Sequence, residues 1–276
     1  MSSLSESVLS ALILLLQFDP LLWSIVAHSL WVSVLACGIA CGLGMVLGAW
    51  LGVARFAGRD AVLTMLNTLL ALPSVVVGLL VYLLLSRSGP LGALGWLFSL
   101  KAMVLAQAVL VLPVVTALTR QCVEDADRAH GEQLQSLGAT RLQRAMLIAW
   151  DERYALLTVV LAAFGRAVSE VGAVMVVGGN IEGFTRVMTT AIALETSKGD
   201  LPLALALGLV LLAVVLFLNV LISAVRRWRM RVDGISAMPV QSAGRYDTGV
   251  DVFAVGGCLF WQALGFALGE CATACR

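Results

Sequence analysis

One long apolar stretch of the sequence sets an arginine, a serine and a glutamate close together, in Phe164-Gly165-Arg166-Ala167-Val168-Ser169-Glu170-Val171-Gly172. Arg166 and Glu170, four residues apart, share one helix face and can pair there. A charge at membrane depth is costly and turns to a partner or a wet cavity. Two readings stay open: Arg166, Ser169 and Glu170 line a polar path, or the charged pair locks this helix to a neighbour. A second set, Arg87, Thr185 and Arg186, falls in short loops. Their guanidinium forks suit oxyanions, although loop charges of this kind are commonly just solvated. A third candidate, Glu132, stands shortly before Gly138 in the one long polar stretch of the apolar body. It is either a contact for another protein or a solvated helix charge.

Other chemistries are excluded by what is missing. The chain has two lysines, Lys101 and Lys198, and neither sits in a Gly-Lys-Ser/Thr sequence. A P-loop needs that ammonium on the nucleotide phosphates, so no ATP site of this kind is expected here. Cys37, Cys41, Cys122, Cys258, Cys271 and Cys275 form no CxxC pair, and His28 and His130 are far apart. No metal site or cofactor is expected from such a set. The net charge is +1, and no basic run resembles a nucleic-acid arm.

These residues must be positioned by helices in a bilayer. The 276 residues are 60% hydrophobic and 13% charged, with mean hydropathy +0.97. A soluble domain averages about 25% charged residues, so this chain could not cover itself with polar surface. Five runs are long enough to span: roughly 25–54, 61–85, 102–118, 155–177 and 201–225. In lipid their backbone groups must pair internally, which makes them helices. Pro73 and Pro113 are expected to kink the second and third. Gly38 and Gly42, then Gly44, Gly48 and Gly52, give the first span a smooth face for close helix approach.

Charge placement orients the chain. Arg55, Arg59, Arg120, Arg128, Arg141, Arg144, Arg153, Arg226, Arg227, Arg229 and Arg231 fall on one side. Only Arg87, Lys101, Arg186 and Lys198 fall on the other. The richer side is expected in the cytoplasm and the N-terminus outside. Residues 1–54 carry no Lys or Arg, which argues against a cleavable signal peptide. Residues 1–24 are read as an outer-side segment, interfacial at 8–18, and 25–231 as the membrane domain. Residues 232–276 are read as an appendage, with a sixth hydrophobic helix as the alternative.

The cytoplasmic stretch 120–153 is too long for a bare connection. Glu124–Leu137 suits a helix that Gly138 can end. Thr140 can cap a second, amphipathic helix through Leu142, Ala145, Met146 and Ala149. A helix–Gly–helix elbow of this kind could plug into a groove on another protein.

Glu132-Gln133-Leu134-Gln135-Ser136-Leu137-Gly138-Ala139-Thr140 resembles the EAA loop of ABC importer permeases. Glu132 and Gly138 match in place, while Gln133 and Leu134 stand where that family has two alanines. Three further stretches resemble the permeases of tungstate importers, relatives of those for molybdate and sulfate. They are Leu72-Pro73-Ser74 through Gly92, Gly165-Arg166-Ala167 through Met175, and Thr189-Thr190-Ala191 through Asp200.

The resemblance implies an all-α transmembrane fold of the type I ABC importer kind with five core helices. It implies a homodimer, two copies of a separate ABC ATPase subunit docked around Glu132, Leu137, Gly138 and Ala139, and an extracytoplasmic substrate-binding protein. The chain itself would then be no enzyme. A secondary transporter using Arg166 and Glu170 as an ion site, or a membrane scaffold, are the competing readings.

Overall fold

The computed structural model describes residues 9, 13–17 and 19–234, the side chains of 226 and 229–234 excepted. Of the expected interfacial segment at 8–18, residues 9 and 13–17 are described, 13–16 as helix, and the others lie outside the described residues. So do the alternatives for 232–276, from residue 235 onward. Among the described residues the fold is all-helical, with no strand.

Helix α1, Pro20–Val53, starts where the Asp19 carboxylate accepts hydrogen bonds from the N–H groups of Leu21 (2.8 Å) and Leu22 (3.3 Å). Proline at the first helical position completes that start. The expected second span is broken: α2, Arg59–Ala71, and α3, Ser74–Leu85, meet at 99°. Pro73 removes a ladder hydrogen bond and biases Leu72 out of the helical region, so the expected kink is a full break. Twelve residues of α3 reach only about 18 Å, and α3 alone cannot cross the bilayer.

Helix α4, Leu100–Ser136, is 37 residues long and passes through Pro113 unbroken. Pro113 is buried among partners at mid-span, and that packing holds the helix together. At 37 residues it is about 55 Å long, against a hydrocarbon core of about 30 Å. What the sequence suggested as the elbow's separate first helix is therefore the overhanging end of this span. Helix α5, Arg141–Asp151, follows the turn at Gly138, whose φ of +81° suits glycine. Thr140 and Gln143 form a capping box at its start.

The fourth span is also interrupted. Helix α6, Arg153–Val168, and the short α7, Gly172–Gly178, differ in direction by 56°. Helix α8, Met188–Lys198, buries Met188, Thr189, Thr190, Ala191 and Glu195. Helix α9, Leu201–Gly234, closes the described chain. Among the described residues, by length and composition three helices can cross a membrane, or up to five spans if each bent pair counts as one.

The core is a parallel pair, α1 against α4. A Cβ on Gly44, Gly48 or Gly52 would meet Val115, Thr116 and Thr119, or Val123 respectively, so the two helices advance together. Gly38 and Gly42 meet nothing within 4 Å, so only the second glycine set forms the seam. Ala40, Ala163 and Ala167 let α6 join at mid-depth beside Cys37, Cys41, Val111 and Val115. Val77, Val81, Ala102, Ala106, Ala173 and Val177 bind α3, α4 and α7 together. The most apolar window of α4 is 61% buried and that of α9 only 17%, which makes α4 the central post and α9 peripheral.

A Cβ at Gly48 would stand 2.6 Å from the Thr116 carbonyl oxygen and 2.7 Å from Thr119 Cβ, both rigidly placed. Gly48→Ala should therefore cost about 1–3 kcal/mol by overpacking, read as a lower Tm in detergent. Gly42→Ala should leave Tm unchanged, and equal effects of the two would contradict this seam.

Candidate functional site

The two helix breaks lie side by side. A Cβ on Gly172 would come within 2.7 Å of Val75 and 2.9 Å of Ser74 Oγ, and one on Gly78 within 2.6 Å of Ala173 Cα. Helices α3 and α7 thus start together and run parallel from the same level. Breaking a helix frees backbone groups that lipid cannot satisfy, and neighbours supply the partners. Gln107 Nε2 donates to the Ala167 carbonyl at 3.0 Å, and Thr189 Oγ1 donates to the Glu170 carbonyl at 2.8 Å. The buried Glu170 carboxylate accepts from the Ala173 N–H at 3.4 Å, capping α7.

This arrangement alters the reading of Arg166 and Glu170. The helix ends at Val168, so the two are no longer one turn apart on a shared face, and no ion pair joins them. Glu170 turns inward to the α7 start. Arg166 is exposed, and its guanidinium has no hydrogen-bond or ion-pair partner among the described residues. Ser169, also exposed, donates to the Arg166 carbonyl at 3.1 Å. From Arg153 at the foot of α6 to Arg166 is a climb of about 20 Å, and Ala163 and Ala167 on the same helix pack at the middle of α1 and α4. Arg166 is thus a single guanidinium standing outside the protein core at depth.

The outer-side candidates divide. Arg87 is exposed on the turn after α3. Thr185 and Arg186 are built into the loop after α7. Thr185 Oγ1 donates to the Gly178 carbonyl at 2.6 Å and accepts from the Ile181 N–H at 2.9 Å. Arg186 is buried and faces Glu195 at 3.8 Å and Glu182 at 3.5 Å. Lys198 Nζ reaches Glu195 at 2.9 Å.

At the other end, α5 is held to α4 by a two-pronged ion pair. Arg144 donates to the Asp127 carboxylate through Nε at 3.1 Å and Nη2 at 2.8 Å. Ala145 and Ile148 bury against Val53 and Val123. The opposite face of α5 is apolar and open. Leu142, Met146 and Trp150 follow at four-residue spacing and are 69%, 75% and 74% exposed, with Leu137 beside the turn at 82%. Glu132 is exposed and engages no other side chain among the described residues; Gly138 and Ala139 form the turn itself. The sequence reading missed Gln107, Thr189 and Asp127 as positioning residues. Gln107 alone carried a signal, as an amide inside an otherwise apolar span.

Residues 44–231 match the family described as binding-protein-dependent transport system inner membrane component. A probable anion ABC transporter permease protein of Haloferax volcanii is 42% identical over 203 residues, covering 72% of this chain and 88% of that one. The tungstate uptake system permease protein TupB of Peptoclostridium acidaminophilum is 41% identical, over 80% of this chain and 97% of its own. The sulfate transport system permease protein CysT of Salmonella typhimurium is 32% identical, over 65% and 68%. The apolar spans, the elbow with its open apolar face and these matches agree: the chain is a multi-pass membrane protein and belongs to the family of inner membrane components of binding-protein-dependent transport systems.

Proposed function

We propose that this chain forms the translocation path of an ATP-driven importer for tungstate, with Arg166 facing the passing anion. The observation that carries the reading is the isolation of that guanidinium. A charge that no carboxylate compensates is costly against hydrocarbon, so its face opens on water or on a polar path. A positively charged path favours anions, and the relatives that align over most of this chain carry the names of an anion and of a tungstate permease. Molybdate or sulfate is the alternative cargo, since sulfate permeases align at lower identity.

ATP hydrolysis belongs to a separate subunit. Two copies of it dock on the elbows of a homodimer, around Glu132, Leu137, Gly138 and Ala139. The uncovered stripe of Leu142, Met146 and Trp150 extends that contact, because apolar surface projecting into water beyond the bilayer is a binding face. A substrate-binding protein delivers the anion at the outer side, near the exposed Arg87. The N-terminus lies outside and the elbow in the cytoplasm, in the inner or plasma membrane, as the arginine asymmetry favours.

Arg166→Gln should lower uptake by about tenfold or more, a loss of at least ~1.4 kcal/mol, while the ATPase still co-purifies. Uptake at the wild-type rate would remove Arg166 from the path. Met146→Glu and Glu132→Arg, at exposed positions where substitutions cost the fold about 0.5 kcal/mol or less, should each release the ATPase in a pull-down. Retention by both would move docking elsewhere. In vesicles holding the reconstituted system, unlabelled tungstate should compete with labelled tungstate, and a hundred-fold excess of sulfate, set at roughly two decades to expose a ~2.7 kcal/mol preference, should not. Equal competition would favour the sulfate alternative.

A further inference from the structure

We propose that the feet of α1, α2 and α4 form a binding site for a tetrahedral oxyanion group, free in solution or borne by an acidic phospholipid headgroup. Its placement on the cytoplasmic side rests on the orientation proposed above. The site is a cleft of about 260 Å³ lined by Arg55, Arg59 and Arg128 together with Glu124 and Asp127. Its charges do not balance. Asp127 is taken by Arg144 from α5. Glu124 is shared by Arg59 at 2.9 Å, Arg128 at 2.9 Å and Arg120. Three guanidiniums therefore share Glu124, Arg128 also lying 3.9 Å from Asp125, and the Arg55 side chain has no partner among the described residues. The Arg59 Nε–H is buried without an acceptor.

A buried N–H without a partner is rare in proteins and points to a bound water or ligand. The cleft is far larger than one water requires. Guanidinium forks bind tetrahedral oxyanions with paired, charge-assisted hydrogen bonds. A cation would meet net positive charge here, and the lining offers no ring on which a nucleotide base could stack. The site also joins the membrane helices to the elbow: Arg59 sits at the start of α2, Glu124 on the overhang of α4, and Arg141 of α5 donates to the Arg55 carbonyl at 3.4 Å. An anion held there would fasten the elbow to the spans.

The test uses the permease–ATPase complex in nanodiscs, wild type and Arg55→Gln, with Tm as readout. Arg55 is exposed and its side chain holds no other element, so its loss leaves the fold intact. In phosphatidylcholine discs, sodium tungstate and sodium phosphate are titrated separately. In a second arm, discs containing phosphatidylglycerol are compared with phosphatidylcholine discs in the absence of free oxyanion. A rise in Tm with either salt, its half-saturating concentration raised about tenfold in Arg55→Gln, establishes the site with a soluble ligand. A rise only with phosphatidylglycerol, lost in Arg55→Gln, establishes it with a lipid. No rise in either arm, or the same rise in both proteins, overturns it. Wild-type uptake measured in parallel bears on the transport reading alone.

Discussion

The rest of the structure depends on one constraint: a backbone polar group inside a bilayer must find a partner within the protein. Unbroken helices meet it automatically. Among the described residues two of the five candidate spans are broken; the two breaks adjoin, and the one between α6 and α7 is stitched by side chains around it. Gln107 reaches across from α4, Thr189 from α8, and Glu170 caps the restart of its own span. The polar residues of the apolar body thereby divide by role. Those three turn inward to the break, whereas Arg166 beside it is exposed, in the position proposed above to face the anion.

The two ends of the molecule are joined by α4. It forms the seam with α1, supplies Gln107 to the break, and overhangs to carry Glu124, Asp127 and the Gly138 turn. The elbow is therefore a rigid outgrowth of the central post. The Asp127–Arg144 pair and the burial of Ala145 and Ile148 on Val53 and Val123 fix α5 against both long helices. Force applied to the open face of α5 reaches the spans through packed side chains, which transmit displacement because protein interiors are close-packed.

Much of this was legible in the sequence, for physical reasons. Apolar run length gave the five spans because bilayer thickness fixes it. Gly138 and Thr140 gave the elbow because positive φ and N-capping depend on local residue type. What stayed hidden depended on tertiary placement. Pro73 breaks its span and Pro113 does not, and the difference lies in how densely neighbours surround each. Arg166 and Glu170 looked paired because i, i+4 spacing presumes an uninterrupted helix, and the interruption falls between them. The glycines of α1 looked like one stripe, yet only Gly44, Gly48 and Gly52 meet α4. Asp127 and Arg144 are too far apart in sequence for any local pattern to pair them.

The parallel seam also has a consequence for biogenesis. Gly48 on α1 closes on Thr116 and Thr119 of α4, and those residues leave the ribosome only after all of α2 and α3. At ~5–20 residues per second the delay is roughly 4–14 s. During it the first span waits in the lipid with its groove unfilled, available to an insertase or to a wrong mate. The order of synthesis thus makes the first span the one whose native neighbour arrives late.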